Sequence, residues 1–341
     1  MPRVRLVDVA AKVGVSAKSV SNVVNGTGVV SDEVRARILA AIDELGYRTN
    51  LAARQLRIGT SGLVGLVMPD LREPYFAEFA SQFFSAAQRR SLTVLVSQTH
   101  GERETELALA EGVGLPALEG LVMSPLALTP RDIVGRKSTV PLLLIGEHGE
   151  SLTNARIPHV GVDNVAAAAA ATRLLLDRGR RRIAVIGVQE RGSTATSRQR
   201  FEGYRKALDE AGVPLDPRLL GVVAEFNRAQ GSEAADRLIG DGVEFDGLFC
   251  FSDSMAFGAL YTLATHNVRV PDEVMVMGFD DIEEGRYSIP PFASVNVDAQ
   301  YAADLILDMV TGVKAARGGR HVVPFTVVER GAAGAAVPSA V

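Results

Sequence analysis

The chain has 341 residues, of which 47% are hydrophobic and 22% charged, a composition typical of globular proteins rather than disordered or collagen-like chains. At roughly 100–200 residues per domain, this length predicts two or three folding units. The single cysteine, Cys250, excludes an intramolecular disulfide and a cysteine-based zinc site. No uncharged apolar run reaches the ~18–20 residues that cross a bilayer. Asp8 and Lys12 interrupt the apolar N-terminus, so we expect no signal peptide and a cytoplasmic protein.

The net charge of −4 is unevenly distributed along the chain. Residues 1–60 carry nine basic and five acidic side chains, a balance of +4, whereas residues 61–341 carry 27 basic and 35 acidic side chains, a balance of −8. A small basic region ahead of an acidic body is typical of a polyanion-binding module joined to a separate partner domain.

Three short helices are predicted at the start of the chain. Residues 6–13 have apolar spacings of three and four and end at Gly14. A second helix begins after Ser16, whose hydroxyl can accept an N–H of the first turn, and Ser31 is the corresponding N-cap candidate of a third helix that Gly46 ends. The expected core of this bundle is apolar and comprises Leu6, Val9, Val20, Val23, Val34 and Ile38.

From Leu63 onward, apolar strands alternate with helices, which predicts parallel sheets covered by helices. Two consecutive series of these units, the second beginning near Val160, predict two lobes of one α/β body. A short helix over residues 50–57 precedes the body and would be marginal in isolation. The expected organisation is a helix-turn-helix domain over 1–49, a hinge helix and linker over 50–62, and a bilobed body over 63–341, with lobe crossovers near 160, 290 and 322.

The turn at Gly14 gives the first two helices the form of a helix-turn-helix, whose second helix reads base edges in the major groove. Lys18 can donate to guanine, Asn22 can pair with adenine, and Ala17 can contact a thymine methyl group. Uncharged donors that suit phosphate oxygens are Ser16, Ser19, Ser21, Asn25 and Ser31. The same polar face would also suit a small helical bundle that binds no DNA.

Two N-terminal segments resemble the LacI/GalR family of bacterial transcription regulators. They are residues 7–26, VDVAAKVGVSAKSVSNVVNG, and residues 44–56, ELGYRTNLAARQL. Residues 270–282, VPDEVMVMGFDDI, and residues 289–291, IPP, are similar to the family's ligand domain. The resemblance implies a lambda-repressor-like DNA-binding domain, a periplasmic-binding-protein-like body, a homodimer, and transcription controlled by a small molecule.

The resemblance also implies a hinge helix that folds on operator DNA and inserts Leu56 into the minor groove, where an apolar wedge kinks the duplex. Ala53 is small enough for two hinge helices to meet, and Asn50 and Arg54 belong to the same DNA-contacting segment. Thr49 stands where the family commonly has proline, which leaves the start of the hinge less rigid. The alternative for Leu56 is an ordinary apolar residue of a tail.

An effector site is implied in the cleft at the carboxyl ends of the strands. The resemblance assigns it seven residues: Tyr75, Phe76, Arg200, Phe226, Ser252, Asp253 and Asp280. This set suits a polyol, because Arg200 donates in a fork, Asp280 accepts, and an aromatic ring such as Tyr75 or Phe226 can cover an apolar sugar face. His148, close after the fourth body strand, can also reach the cleft. A nucleoside, a purine or another small polar molecule is the alternative ligand.

Each of these residues has a structural alternative. Arg200 could pair with Glu202 or Asp209, which are its neighbours in sequence. Asp280 could belong to a turn or cap a helix. Phe76 and Phe226 could belong to the core. These alternatives remain open at the level of sequence.

Catalytic motifs are absent from the sequence, which has no Walker A loop, Gly-x-Gly-x-x-Gly, Gly-x-Ser-x-Gly or His-Glu-x-x-His. The five histidines have no metal-site spacing, so we expect no enzyme activity, no metal and no cofactor. We predict a homodimeric repressor that binds a pseudo-palindromic operator in double-stranded DNA, is controlled by a small molecule and does not associate with membranes. A solute-binding protein of the same body fold is the second hypothesis, which the basic helical region disfavours. The effector, the operator, the sign of the response and any association of dimers stay open.

Overall fold

The computed structural model describes residues 4–25, 27–47, 61–190, 194–315 and 318–330. The predicted hinge helix, with Asn50, Ala53, Arg54 and Leu56, lies outside these residues, as do the side chains of Asn25 and Glu147. The chain divides into two units, Met1–Ser61 and Gly62–Val341, which are described separately. No helix among the described residues has both the length and the apolar character that a membrane span requires.

The N-terminal unit contains three helices, α1 (Leu6–Val13), α2 (Ala17–Asn25) and α3 (Asp32–Leu45). Its core takes residues from all three: Val9, Ala10, Val13, Val20, Val23, Ile38 and Ala41. Gly14 follows α1 with φ 72°, a left-handed conformation that glycine adopts without a Cβ clash. The hydroxyl of Ser16 accepts the Ser19 N–H at 3.1 Å and so caps α2. Ser31 stands at the N-cap of α3, where its hydroxyl makes no capping hydrogen bond.

Lobe one of the second unit is built on a six-stranded parallel sheet. Its strands are β1 (Leu63–Met68), β2 (Thr93–Gln98), β3 (Gly120–Met123), β4 (Leu142–Ile145), β5 (Pro158–Val162) and β11 (Gly319–Val323), in the spatial order β11-β5-β4-β3-β1-β2. Its helices are α4 (Pro74–Arg89), α5 (Arg103–Ala110), α6 (Pro130–Gly135), α7 (Gly146–Leu152) and α12 (Ala299–Val310). The central strands are apolar at nearly every position because helices cover both faces of the sheet.

Lobe two is built on a four-stranded parallel sheet and a two-stranded antiparallel pair. The sheet has the spatial order β7-β6-β8-β9 and comprises β6 (Ile183–Val188), β7 (Leu220–Val222), β8 (Gly247–Cys250) and β9 (Met275–Met277). The pair comprises β10 (Ser294–Val297) and β12 (Phe325–Val328). The helices are α8 (Asn164–Asp177), α9 (Ala195–Glu210), α10 (Arg228–Gly240) and α11 (Asp253–Thr265), with short 3-10 turns at Pro217–Leu219 and Glu283–Arg286.

In the described part of the chain, the polypeptide passes between the lobes after β5, after β10 and after β11. The second and third crossings run side by side, and the Asp298 N–H donates to the Pro324 carbonyl at 3.1 Å. Pro324 separates β11 from β12, which belong to different lobes. These crossings set the two lobes with the carboxyl ends of their strands facing a common cleft.

Candidate functional site

The cleft between the lobes has a volume of about 790 Å³, within the ~300–1,000 Å³ typical of small-molecule sites. It lies at the carboxyl ends of the strands of both lobes, as open α/β folds favour. Six of the seven residues assigned to an effector site line it: Tyr75, Phe76, Arg200, Phe226, Ser252 and Asp280.

Arg200 is held rigidly at the cleft, with only 5% of the residue exposed. Its Nε donates to Asn164 Oδ1 at 2.7 Å, and its Nη1 donates to the carbonyl of Phe251. Its Cζ lies 3.4 Å from the centroid of the Phe279 ring, a cation–π contact. Its Nη2 lies 3.7 Å from Asp280 Oδ1. The guanidinium is therefore oriented by the protein itself.

The close packing of α9 on α8 brings Arg200 to this position. At Gly203, one turn further along α9, a Cβ would collide with the carbonyl oxygen of Val165 and the Cβ of Ala168 in α8. The glycine and the alanine-rich α8 let the two helices approach closely enough for Arg200 to reach Asn164. The ion pair of Arg200 therefore forms with Asp280, across the lobe, rather than with its sequence neighbours Glu202 or Asp209.

Two consecutive aspartates after β9 have different surroundings. Asp280 has φ 105°, which is uncommon for a residue other than glycine, and its N–H donates to the Val295 carbonyl at 2.9 Å. Its carboxylate lines the cleft beside Arg200. Asp281 is buried, and its carboxylate lies 2.5 Å from Nη2 of Arg330 and accepts from Asn296. Asp281 is thus held within the lobe, while Asp280 faces the cleft.

The aromatic candidates serve the core and the cleft together. Tyr75 and Phe76 lie in the first turn of α4 with ring centroids 5.2 Å apart, and both line the cleft. Phe76 also packs against the core of lobe one. Phe226 packs against the core of lobe two, with its ring centroid 6.4 Å from that of Phe251. These rings offer apolar faces to a ligand.

Asp253, the seventh predicted residue, does not line the cleft. It is 0% exposed, and its carboxylate accepts from Ser294 Oγ at 2.7 Å and from the Ile282 N–H at 2.9 Å. Burial raises the pKa of Asp253 well above its ordinary value, and the nearby charge of Asp280 adds to this effect. Because Ser252 caps α11 at the rim, the next side chain turns inward, where it ties α11 to the segment after β9.

Several cleft residues escaped the sequence analysis. They are Asp70, Arg72, His100, Ser124, Leu126, Arg198, Glu225 and Ser254. Many of them come shortly after the end of an apolar strand, which is the signal that could have identified them. His148, which the sequence placed within reach of the cleft, lines it as well. At the rim, Arg72 donates to Asp70 at 2.7 Å, and this hydrogen bond lowers the pKa of Asp70.

Carboxylates of lobe one accept hydrogen bonds from lobe two at three places among the described residues. The pairs are Ser254 Oγ to Glu73 at 2.9 Å, the Glu283 N–H to Glu78 at 2.7 Å, and Gln199 Nε2 to Glu150 at 3.0 Å. Burial raises the pKa of Glu78, and the nearby acids Glu284, Glu283 and Asp281 add to the shift. The contact between the lobes therefore depends on acidic side chains.

The DNA-reading candidates of α2 separate into an exposed side and a buried side. Ser16, Ala17 and Lys18 are exposed, and Ser19, Ser21 and Asn22 are half-buried. Val20 and Val23 are buried on the opposite side, against α1 and α3. The first turn of α2 and the exposed Ser31 thus present their polar groups to solvent, as a recognition helix requires.

Comparison with known proteins gives two family matches. The family model described as bacterial regulatory proteins, lacI family, matches residues 5–50, and a periplasmic binding protein-like domain matches residues 172–332. The HTH-type transcriptional regulator GalS of Salmonella typhimurium is 30% identical over 314 residues, which are 89% of this chain and 89% of the relative. The HTH-type transcriptional repressor PurR of Haemophilus influenzae is 27% identical over 310 residues, 89% of this chain and 90% of the relative.

A solved structure gives the same result. The structure of a putative transcriptional regulator of the LacI family from Sanguibacter keddieii is 34% identical and has a TM-score of 0.72. It covers 80% of this chain, and this chain covers 99% of it. These similar proteins are transcription regulators and not enzymes.

Proposed function

This chain belongs to the lacI family of bacterial regulatory proteins, and we propose that a small polyol, bound between the two lobes of its body, controls its affinity for operator DNA. The family membership confirms the predicted fold class and makes the chain a DNA-binding transcriptional repressor rather than an enzyme. The nature of the effector and the residues that contact it are the proposal.

The observation that carries this proposal is the fixed pair of Arg200 and Asp280 at the floor of the cleft. Two nitrogens of Arg200 are bonded to Asn164 and to the Phe251 carbonyl, which leaves Nη2 directed toward Asp280. A guanidinium N–H can donate to one hydroxyl while the neighbouring carboxylate accepts from the next, and this pairing suits a vicinal diol. With Phe226 covering an apolar ring face, a sugar satisfies every group of this set.

A purine or nucleoside is the second candidate. Two features support it: the similarity to the repressor PurR and the aromatic rings of Tyr75 and Phe226, which could stack on a base. The same Asp280 carboxylate would then accept from a ring N–H or an amino group.

The experiment is a thermal-shift screen of the purified protein with galactose, ribose, cellobiose, hypoxanthine, guanine and adenosine. A ligand at ~100 times its Kd adds about 2.7 kcal/mol to the free energy of unfolding, which raises the melting temperature measurably. Asp280→Asn should lose this shift and keep operator binding, whereas Asp272→Asn, an exposed aspartate of the same lobe, should keep both. A shift with bases alone would favour the second candidate, and an unchanged shift in Asp280→Asn would remove Asp280 from the site.

For the DNA side, we propose that two copies of the chain present two α2 helices to the half-sites of a pseudo-palindrome in the cytoplasm. The polar, exposed first turn of α2 supports base contacts by Ala17 and Lys18. Support for a dimer comes from the exposed aromatic ring of Phe84 on α4, a helix that packs against the edge strand β2.

The proposed role of the hinge helix in DNA binding rests on the sequence, and Leu56→Ala tests it. A leucine wedged into the minor groove should contribute to the binding of a selected operator and not to the binding of random DNA. Leu56→Ala should therefore weaken specific binding more than non-specific binding. Leu39→Ala, at a half-exposed leucine of α3, is the control. An equal loss on both kinds of DNA would contradict a wedge at Leu56.

A further inference from the structure

A buried carboxylate lies behind the wall that lobe one contributes to the cleft. Glu106 of α5 is 0% exposed. Its Oε1 accepts the Leu126 N–H at 2.7 Å, and its Oε2 accepts the N–H groups of Ala127 and Leu128 at 3.0 Å each. No basic side chain of the described residues forms an ion pair with it. Three consecutive amides directed at one carboxylate make an anion-holding concavity, which offsets the cost of burying the charge.

The segment that Glu106 holds is part of the cleft. Ser124, Pro125 and Leu126 line it, and residue Leu128 at the end of the segment is buried. The Leu126 side chain also lies against the turn at Gly101, next to another cleft residue, His100. Without the three hydrogen bonds, the amides of 126–128 would have to find other acceptors, and the wall would lose its defined position.

The same segment fixes a histidine of the cleft. His148, at the start of α7, lies with Nε2 2.6 Å from the carbonyl oxygen of Leu128. A carbonyl can only accept, so Nε2 carries the proton, and in the neutral ring Nδ1 is then an acceptor. His148 lines the cleft. The orientation and tautomer of its ring therefore depend on where Leu128 is held.

We propose that Glu106 is a positioning residue of the effector cleft, which acts through the segment 124–128 and through the tautomer of His148. The inference rests on the proposed function, since it assigns to lobe one a fixed hydrogen-bond acceptor for the effector's hydroxyl or N–H groups. Glu106 itself touches no ligand space, because it does not line the cleft.

The test replaces Glu106 by glutamine, which keeps the volume and exchanges one acceptor oxygen for an NH2 donor facing N–H groups. The matched control is Glu104→Gln, which removes the same charge from an exposed position of the same helix. Hydrogen exchange of the Leu126–Leu128 amides and long-range 1H–15N NMR of the His148 ring are measured on the full chain, without ligand.

In Glu106→Gln, we expect the three amides to exchange at least about tenfold faster, because hydrogen bonds to a charged group are lost. The Nε2–H tautomer of His148 should lose its dominance, while the amides of β1 keep their protection. Glu104→Gln should resemble the wild type. Unchanged exchange and tautomer in Glu106→Gln, or equal changes in both variants, would overturn the proposal.

The ligand arm uses galactose, ribose, cellobiose and hypoxanthine as probes. If one of them raises the melting temperature of the wild type, Glu106→Gln should reduce that shift while ligand-free operator binding persists, and an equal shift would overturn the positioning role. If none acts on the wild type, the effector assignment fails, and exchange and tautomer still decide the role of Glu106. Should Glu106→Gln not fold, His148→Ala tests the histidine instead. The amides of 126–128 should stay protected from exchange, while the ligand-induced shift of the melting temperature should fall. An unreduced shift overturns the proposal.

Discussion

The two walls of the cleft are built differently. In lobe two, Arg200 is buried and reaches partners that lie 36 to 80 positions away in the sequence, among them Asn164 and Asp280. In lobe one, the side chain of Arg72 is 84% exposed and pairs with Asp70, two positions away. The first arrangement is fixed by the packing of the whole lobe, whereas the second is a local pair in solvent.

This difference gives the two walls different tasks, which are to select a ligand and to adapt to it. A buried side chain that the protein already holds by hydrogen bonds loses little freedom when a ligand binds, so the wall of lobe two can define which ligand fits. Exposed pairs contribute little to stability and rearrange easily, so the rim of lobe one can adapt to a ligand. Behind that rim, the Glu106 concavity gives lobe one a rigid part of its own.

The largest expected effect comes from Arg200→Ala. The change removes the donor to Asn164 Oδ1 and to the Phe251 carbonyl and the ion-pair partner of Asp280 in a buried site, and removing one partner of such a set costs about 3–5 kcal/mol of unfolding free energy. Urea denaturation measures the loss. Arg205→Ala, at an exposed position of the same helix, should be close to neutral. Equal losses in the two variants would mean that the wall of lobe two is not preorganised.

The second-largest loss of stability is expected at Asp253. Asp253→Ala leaves the Ile282 N–H and Ser294 Oγ without an acceptor, at a cost of about 1–3 kcal/mol. Asp253→Asn keeps an acceptor for the Ile282 N–H and should cost less. Thermal unfolding of the two variants gives the comparison, and a loss as large in Asp253→Asn as in Asp253→Ala would contradict the assigned hydrogen bonds.

The contact between the lobes adds a smaller, pH-dependent effect at Glu78. Its pKa is raised above the ordinary value of 4.5 by burial, so its contribution to stability is fully present below that value and declines as the pH rises through the raised pKa. The groups that face it are Glu284, Glu283 and Asp281. Glu78→Gln still accepts the Glu283 N–H and should remove this decline. Melting curves between about pH 4 and 8 test it.

The matched control for Glu78 is the exposed Glu202 of α9. Glu202→Gln should leave the pH profile of the melting temperature as it is in the wild type. A profile that stays unchanged in Glu78→Gln would mean that the contact between Glu78 and the Glu283 N–H does not couple lobe contact to pH.

The smallest effect is expected at the rim. Arg72→Ala removes an exposed pair with Asp70, and the melting temperature should stay within the error of measurement. The pKa of Asp70 should rise toward its ordinary value, because the hydrogen bond from Arg72 is its main cause of depression. A fall in melting temperature comparable to that of Arg200→Ala would erase the distinction between the two walls.

Much of the fold could be predicted from local patterns. Apolar spacing identifies α1 and α3, and continuous apolar runs identify β1, β4 and β6. The short helices α6 and α7 were missed, because six or seven residues carry too little periodicity to distinguish them from a loop. Residues 322–328 form one apolar run, for which the sequence predicts a lobe crossover near 322, and the structure divides this run at Pro324 between two strands of different lobes.

The candidate site shows the same limit. Resemblance led to Arg200, Asp253 and Asp280 together, yet only the first and the last line the cleft. Glu106 is one of two acidic residues in its helix, and nothing in its sequence neighbourhood marks it as a buried acceptor of three amides.

The sequence by itself determined the order of helices and strands, the basic N-terminal region and the family, because periodicity, charge and motif spacing are local properties of a chain. The tertiary structure decided which of these side chains meet. Asp280 faces Arg200 because the close packing of α9 on α8 at Gly203 and the positive φ after β9 bring them together. Asp253 turns away because the cap of α11 directs it into the core. Side-chain direction depends on contacts between residues distant in the chain, and no local pattern encodes them.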